Sequence, residues 1–317
     1  MGEHPALGAR YDVCCVGNVV ADLVVWPVPA LPPPDTIHLL RGARLTPGGN
    51  GPNTAAAISR LGGRVLLCGA VGQDPLGEML RARIRGAGVD DGGLRALPQG
   101  LTAVSVVLAR EGGQHSFLHY EGANAALARG HVPWEAVARS RALHYASARL
   151  LPALDPHLPE LMQRAKLLGC LTSLDLCWSP RPASDEAVLA ALPWVDLLLA
   201  NLEEGRQLTG LPDALQIARH LREQGAGTVV VKLGAQGCLV VGREEFSSSA
   251  PEVGVVDTTG AGDCFAAALL LAVLRGYALP EAAKLANAVA AVSTTQPGGF
   301  GVAPSWDIAL EMAAQIS

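Results

Sequence analysis

Apolar residues in this chain gather into short runs separated by stretches with helical spacing. The runs at 13–16, 65–70, 143–146, 171–176, 197–200 and 228–233 are largely apolar, as strands are when both of their faces are covered. Between them, 53–61, 75–86, 158–168, 184–192, 202–209 and 213–224 carry apolar residues at helical intervals. The alternation predicts an α/β protein with a parallel sheet covered on both faces. No solenoid repeat interrupts it.

Two segments break the pattern. Residues about 20–47 hold the apolar run Leu23-Val24-Val25-Trp26, then Pro32-Pro33-Pro34, then a second extended stretch. That run is continuous, so its buried face cannot be assigned from sequence. Residues about 100–120 read as a hairpin, 103–109 and 114–120 around the turn 110–113. Together the two segments predict a small antiparallel sheet projecting from the main body. Further on, 264–274 is apolar at every position and reads as a buried helix.

Composition narrows the picture. Half of the 317 residues are hydrophobic, 17% are charged and the net charge is −5, which suits one large domain with an accessory piece. No Lys/Arg stripe is present, so nucleic acid is not an expected partner. Seven cysteines without a Cys-x-x-Cys pair or zinc spacing read as small core residues of a cytoplasmic protein. The Met1–Pro5 start lacks the pattern of a signal peptide. No uncharged apolar run reaches the roughly 18 residues of a membrane span.

Candidate chemistry concentrates in Asp257-Thr258-Thr259-Gly260-Ala261-Gly262-Asp263. The apolar run 253–256 before it and the helical run after it read as strand, tight turn and helix. Two glycines let an anion approach the backbone N–H groups of Gly260, Ala261 and Gly262, and the helix start adds its own donors and positive dipole end. Asp263 would repel an anion held there. It makes sense as the base that deprotonates a hydroxyl attacking a bound phosphate. The plainer reading is a helix-capping acid. A second glycine-rich run, Gly48-Gly49-Asn50-Gly51-Pro52-Asn53, precedes an Ala-rich helix. Asn53 can cap that helix or face a sugar hydroxyl. There is no Walker P-loop and no protein-kinase His-Arg-Asp or Asp-Phe-Gly set.

The two glycine-rich strings, more than 200 residues apart, resemble the C-terminal and N-terminal signatures of the ribokinase-like carbohydrate kinases, the PfkB family. The resemblance covers essentially the whole chain. It implies one domain over 1–317 with a ribokinase-like three-layer α/β/α sandwich, a mainly parallel sheet and a small β-sheet lid formed by about 20–47 and 100–120. The family's lid covers the sugar and often serves as a homodimer surface. The implied reaction is ATP- and Mg²⁺-dependent phosphorylation of a hydroxymethyl group on a small sugar or sugar acid, in line, with Asp263 as general base.

By the same resemblance Asp22, Gly48, Gly49, Asn50 and Asn53 face the acceptor. Asn201, Glu204, Lys232, Gly234, Gly237 and Asn287 serve the nucleotide, with Glu204 organising Mg²⁺ through water. Asp257 and Thr259, with the 293–301 loop, resemble a K⁺ site. Each has a plainer reading: a capping box for Asn201 and Glu204, a strand-end lysine for Lys232, and a helix-surface amide for Asn287. The acceptor side departs from ribokinase. Val20 stands where ribokinase has Asn, Asn50 stands where it has Lys, and 146–149 holds no equivalent of its sugar-binding Glu. His119, Tyr120 and Arg149 are the substitutes considered, with Arg149 suited to a sugar-acid carboxylate. A nucleoside kinase is the alternative within enzymes, and a non-catalytic sugar- or nucleotide-binding protein on the same fold is the alternative outside them.

Overall fold

The computed structural model describes residues 10–110, 115–180 and 184–316. The N-terminal residues and most of the expected 110–113 turn lie outside that range. The strands are β1 (Tyr11–Val16), β2 (Val20–Trp26), β3 (Gly42–Gly48), β4 (Val65–Gly72), β5 (Asp90–Leu97), β6 (Ala103–Ala109), β7 (His115–Tyr120), β8 (Ser140–Ala148), β9 (Leu171–Leu176), β10 (Leu197–Asn201), β11 (Thr228–Lys232), β12 (Cys238–Val241) and β13 (Glu245–Ser248). The helices are α1 (Asn50–Arg60), α2 (Pro75–Gly86), α3 (Trp134–Val137), α4 (Leu158–Leu167), α5 (Asp185–Ala191), α6 (Leu202–Thr209), α7 (Ala214–Glu223), α8 (Ala261–Leu274), α9 (Leu279–Ser293) and α10 (Trp306–Ala313).

Nine strands form the main sheet in the order β13-β12-β11-β10-β9-β8-β1-β4-β5. It is parallel except where β12 and β13 turn back at one edge. The continuous apolar runs divide alternately between its faces. Val13 and Cys15, Leu197 and Leu199, and Val230 enter one core with α1, α8 and α9. Cys14 and Val16, Leu198 and Ala200, and Val229 and Val231 enter a second core with α4, α5 and α7. The first core is built around α8, in which residues 264–272 are all buried. A helix apolar on every side belongs in such a position.

A separate four-stranded sheet runs β3-β2-β6-β7. It is mixed rather than purely antiparallel, because β6 follows a long excursion through the main body and lies parallel to β2. Three further differences from the sequence reading have local causes. The 253–256 run forms no strand, and Val255 and Val256 are exposed. β5, β12 and β13 were not expected: Gly, Asp and Ser break up the apolar patterns of β5 and β13, and the apolar β12 is only four residues long. Helix α1 begins at Asn50, with Gly49 at φ +86° before it. Asn53 therefore lies inside the first turn and does not cap the helix.

Polar side chains collect where the parallel strands end. Ser147, Asp175, Asn201 and Lys232 stand at or near the carboxyl ends of β8, β9, β10 and β11, the edge at which open α/β sheets form their crevice.

Candidate active site

The Asp263 carboxylate stands at the start of α8 and faces the start of α1. Asn50 Nδ2 donates to its Oδ1 and Asn53 Nδ2 to its Oδ2, each at 3.0 Å. Burial pushes Asp263 up to about 6, while the Asn53 and Asn50 hydrogen bonds and the Lys232 charge favour the carboxylate. Asn50 is set in turn from behind, where its N–H donates to Asn18 Oδ1 (2.9 Å) and Ser147 Oγ donates to the same oxygen (2.9 Å).

The turn before α8 is built from backbone. Gly260 has φ +75°, and a side-chain carbon there would come within 2.6 Å of Gly299 Cα. No side chain caps the first turn of α8; Ala261 N–H donates to Thr258 O (3.2 Å) within the turn, and the positive end of the helix dipole lies there. Asp257 fastens the turn. Its Oδ1 accepts from Thr259 N–H (2.9 Å) and Thr259 Oγ (2.7 Å), and its Oδ2 accepts from Gly298 N–H (2.7 Å).

Beside the turn lies a buried ion pair that the sequence reading missed. Lys232 Nζ donates to both Asp175 oxygens, at 2.7 and 3.0 Å. Burial opposes the Lys232 charge, yet the carboxylates of Asp175, Glu204 and Asp263 hold its ammonium above the usual lysine range. Nζ would lie 3.4 Å from a side-chain carbon at Gly262, so the cation borders the glycine turn. The signal available in sequence was position: Asp175 is the one charged residue of the run 171–176, one place before its parallel strand ends.

A cavity of about 490 Å³ opens beside this pair, and its lining includes Lys232, Gly234, Gly237, Ala261, Gly262 and Asn287. That size accommodates a cofactor-sized molecule. Gly237 (φ +91°) has no room for a side chain, because a Cβ would fall 2.0 Å from Ser248 O. Asn287 is buried rather than a helix-surface amide. Its Nδ2 donates to Ser248 O (2.9 Å) and Ser249 O (3.2 Å).

Asn201 and Glu204 lie outside that lining and form a reciprocal capping box on α6. Asn201 Oδ1 accepts from Glu204 N–H (2.8 Å), and Glu204 Oε2 accepts from Asn201 N–H (2.6 Å). Among the described residues no group of three His, Cys, Asp or Glu side chains is placed to hold a metal by itself.

On the other side of Asp263 the small sheet presents Asp22. Its carboxylate fills the space over Gly48, where a side-chain carbon would come within 1.9 Å of it. Burial lifts Asp22 to about 7, against a hydrogen bond from Ser105. Ser105 Oγ is 2.8 Å from His119 Nδ1. Asp22, Ser105 and His119 are successive cross-strand partners on one face. Tyr120 points to the opposite face. Arg149 is already engaged, at 2.7 Å from Asp185 Oδ1 and with Nη1 donating to Gln207 Oε1 at 2.7 Å. Its guanidinium is buried in protein and not offered to a ligand.

Comparison with known proteins bears on this arrangement. The family model for pfkB family carbohydrate kinases matches residues 10–306. Fructokinase-1 of Zea mays is 33% identical over 279 residues, covering 82% of this chain and 85% of the relative. Fructokinase-1 of Oryza sativa subsp. japonica matches to the same extent. The structure of Arabidopsis thaliana ribokinase complexed with ribose and ATP superimposes with a TM-score of 0.84 at 26% identity, covering 96% of this chain and 98% of that one. The adenosine kinase of Sinorhizobium meliloti gives 0.79 at 27% identity, covering 92% of this chain and 96% of that one. The fold is ribokinase-like, with a mostly parallel large sheet between helical layers and a smaller separate sheet. Matches running the length of the chain, to a family model and to relatives more than 30% identical, establish that this protein belongs to the pfkB family of carbohydrate kinases.

Proposed function

We propose that this kinase transfers the γ-phosphoryl group of ATP to a primary hydroxyl of a small sugar or sugar acid, in line and without a phospho-enzyme. The observation that carries this reading is the buried Asp263 carboxylate, held by Asn50 and Asn53 at the uncapped start of α8. Asp263 takes the acceptor's proton as the acceptor oxygen bonds to the γ-phosphorus and the bond to the bridging oxygen of ADP breaks. The N–H groups of Gly260 and Gly262, with the Lys232 ammonium beside them, meet the charge on the migrating group. Asp175 keeps that ammonium in place. The cavity lined by Gly234, Gly237 and Asn287 takes the nucleoside end of ATP, and Asp22, Gly48 and Gly49 border the acceptor. The complex of Arabidopsis ribokinase with ribose and ATP supports both ligand classes.

Glu204, one of whose oxygens is held by the capping box, offers a hard oxygen suited to Mg²⁺ bound mainly through water and phosphate. Such an ion supplies charge neutralisation at the phosphates. Asp257, Thr259 and the 293–301 loop are the residues that would hold K⁺. The seven described cysteines are unpaired and buried, which supports a reducing cytoplasm. The small sheet would close over the acceptor and meet a second copy of the chain.

The test is ADP release from Mg-ATP over a panel of sugars, sugar acids and nucleosides, in K⁺, Na⁺ and tetramethylammonium salts. One acceptor should stimulate release strongly in K⁺, and Asp263→Asn should abolish the stimulation while still binding ATP. Wild-type turnover by Asp263→Asn would remove Asp263 as the base. Equal rates in the three salts would remove the K⁺ site.

A further inference from the structure

Arg44 lies on β3 opposite Val24, and Asp22, two residues before Val24 on β2, faces the same side of the small sheet. Its Nε is enclosed without a hydrogen-bond partner, and among the described residues no carboxylate pairs with it. An enclosed guanidinium N–H left unmet is costly, and the cost is explained if a ligand meets it.

The location says which ligand. A side-chain carbon at Gly298 would come within 2.8 Å of Arg44 Nη2, and one at Gly299 within 2.9 Å of Asn53 Nδ2. Asn53 donates in turn to Asp263. The guanidinium therefore ends between the small sheet and the loop at Gly298, on the sheet face that carries Asp22, while Gly299 beside it packs on both Asn53 and Gly260. It is absent from the lining of the cavity around Lys232. Arg149, the arginine that sequence suggested for a carboxylate, is already paired with Asp185.

We propose that Arg44 receives an anionic group carried by the acceptor, a carboxylate or a phosphate, so that the substrate is an acidic sugar phosphorylated at its free hydroxymethyl group. This rests on the phosphoryl-transfer reading of the same site. Asp22 and Arg44 then divide the recognition. Asp22 takes hydroxyls, and the planar fork of Arg44 takes the anion through two N–H groups. The anion is drawn to the same face as Asp22 because Arg44 is the one arginine or lysine on that face among the described residues.

The experiment compares kcat and KM of wild type, Arg44→Ala and Arg44→Lys on five acceptors. D-gluconate and 2-keto-3-deoxy-D-gluconate carry a carboxylate, D-fructose 6-phosphate carries a phosphate, and D-fructose and D-ribose are neutral. Wild type should prefer one anionic acceptor, the carboxylate or phosphate arm identifying which group is read. Its KM for that acceptor should rise with ionic strength while the KM for neutral sugars stays level. Arg44→Ala should lose about 10- to 100-fold in kcat/KM on that acceptor, chiefly through KM. The loss on neutral sugars should stay below about threefold, within the standing scatter of single contacts, and Arg44→Lys should recover part of the loss. The salt dependence needs no variant and stands even if Arg44→Ala misfolds. A neutral sugar as best acceptor, with no salt effect and no loss in Arg44→Ala, overturns the anion site and leaves the kinase reading intact. An equal fall in kcat on every acceptor assigns Arg44 to the migrating phosphoryl group and overturns the proposal too. Silence of wild type on all acceptors overturns the kinase reading and this proposal with it.

Discussion

At Asp263 burial and hydrogen bonding pull in opposite directions, and burial wins, lifting the group to about 6. A general base must be deprotonated, so kcat/KM should fall about tenfold per pH unit as pH drops below 6 and level off above it. A pH–rate profile of the free enzyme checks the limb, and a flat profile down to pH 4.5 would remove Asp263 as the titrating base. The ion pair next to it makes a separate prediction. Asp175→Ala removes the carboxylate that is hydrogen-bonded to the buried Lys232 ammonium and leaves it only the charges of Glu204 and Asp263, so it should cost up to about 3–5 kcal/mol in denaturant unfolding. The double variant Asp175→Leu/Lys232→Met should regain most of that stability and none of the turnover. Sequence exposed Asp263 and its glycines because their chemistry is contained in seven consecutive residues. It left Asn53 open between a helix cap and a sugar contact, offered Arg149 as one of several acceptor contacts, and missed Asp175, because their partners arrive from distant strands and helices. No local pattern encodes a contact such as Lys232 with Asp175, which joins β9 to β11.

The turn before α8 shows how one element can tolerate change at one glycine and not at the next but one. Gly260 is both left-handed and in contact with Gly299, whereas Gly262 sits in the helix with only the tip of Lys232 nearby. Gly260→Ala should therefore lower the melting temperature by several degrees, consistent with about 1–3 kcal/mol of backbone strain. Gly262→Val should leave the melting temperature nearly unchanged and crowd out turnover through Lys232. Differential scanning calorimetry alongside ADP release separates the two effects, and an equal loss of stability in both variants would refute the distinction. Continuous apolar runs gave the central strands because each such strand feeds two cores. The same rule failed at 253–256, where apolar residues cross the surface beside the cavity with no neighbouring strand to receive them.

For the molecule as a whole, the alternation of strand and helix is enough to predict a covered parallel sheet, while the edge strands β5 and β13, the neighbouring β12 and the mixed pairing of the small sheet depend on contacts that sequence does not display. That small sheet exposes Leu118 and Tyr120 on the face opposite Asp22, with Phe117 exposed on the other. Apolar surface of this kind on a projecting sheet favours pairing with a second copy. Light scattering of the wild type should report a dimer that Leu118→Glu shifts toward monomer at micromolar concentration, and a monomeric wild type would end that proposal. One feature of the fold also reaches back to the birth of the protein. Asp263 meets partners 213 and 210 residues earlier in the chain, and α8 is the axis of a core whose sheet face and α1 are made first, with α9 and α10 following it. During translation those walls emerge with the slot for α8 still empty, their apolar surfaces turned toward a gap that only the last stretch of chain can fill. The base thus arrives only with the closing stretch that completes the core, so an unfinished chain is a sticky intermediate in need of shelter, and catalysis switches on only when the fold closes.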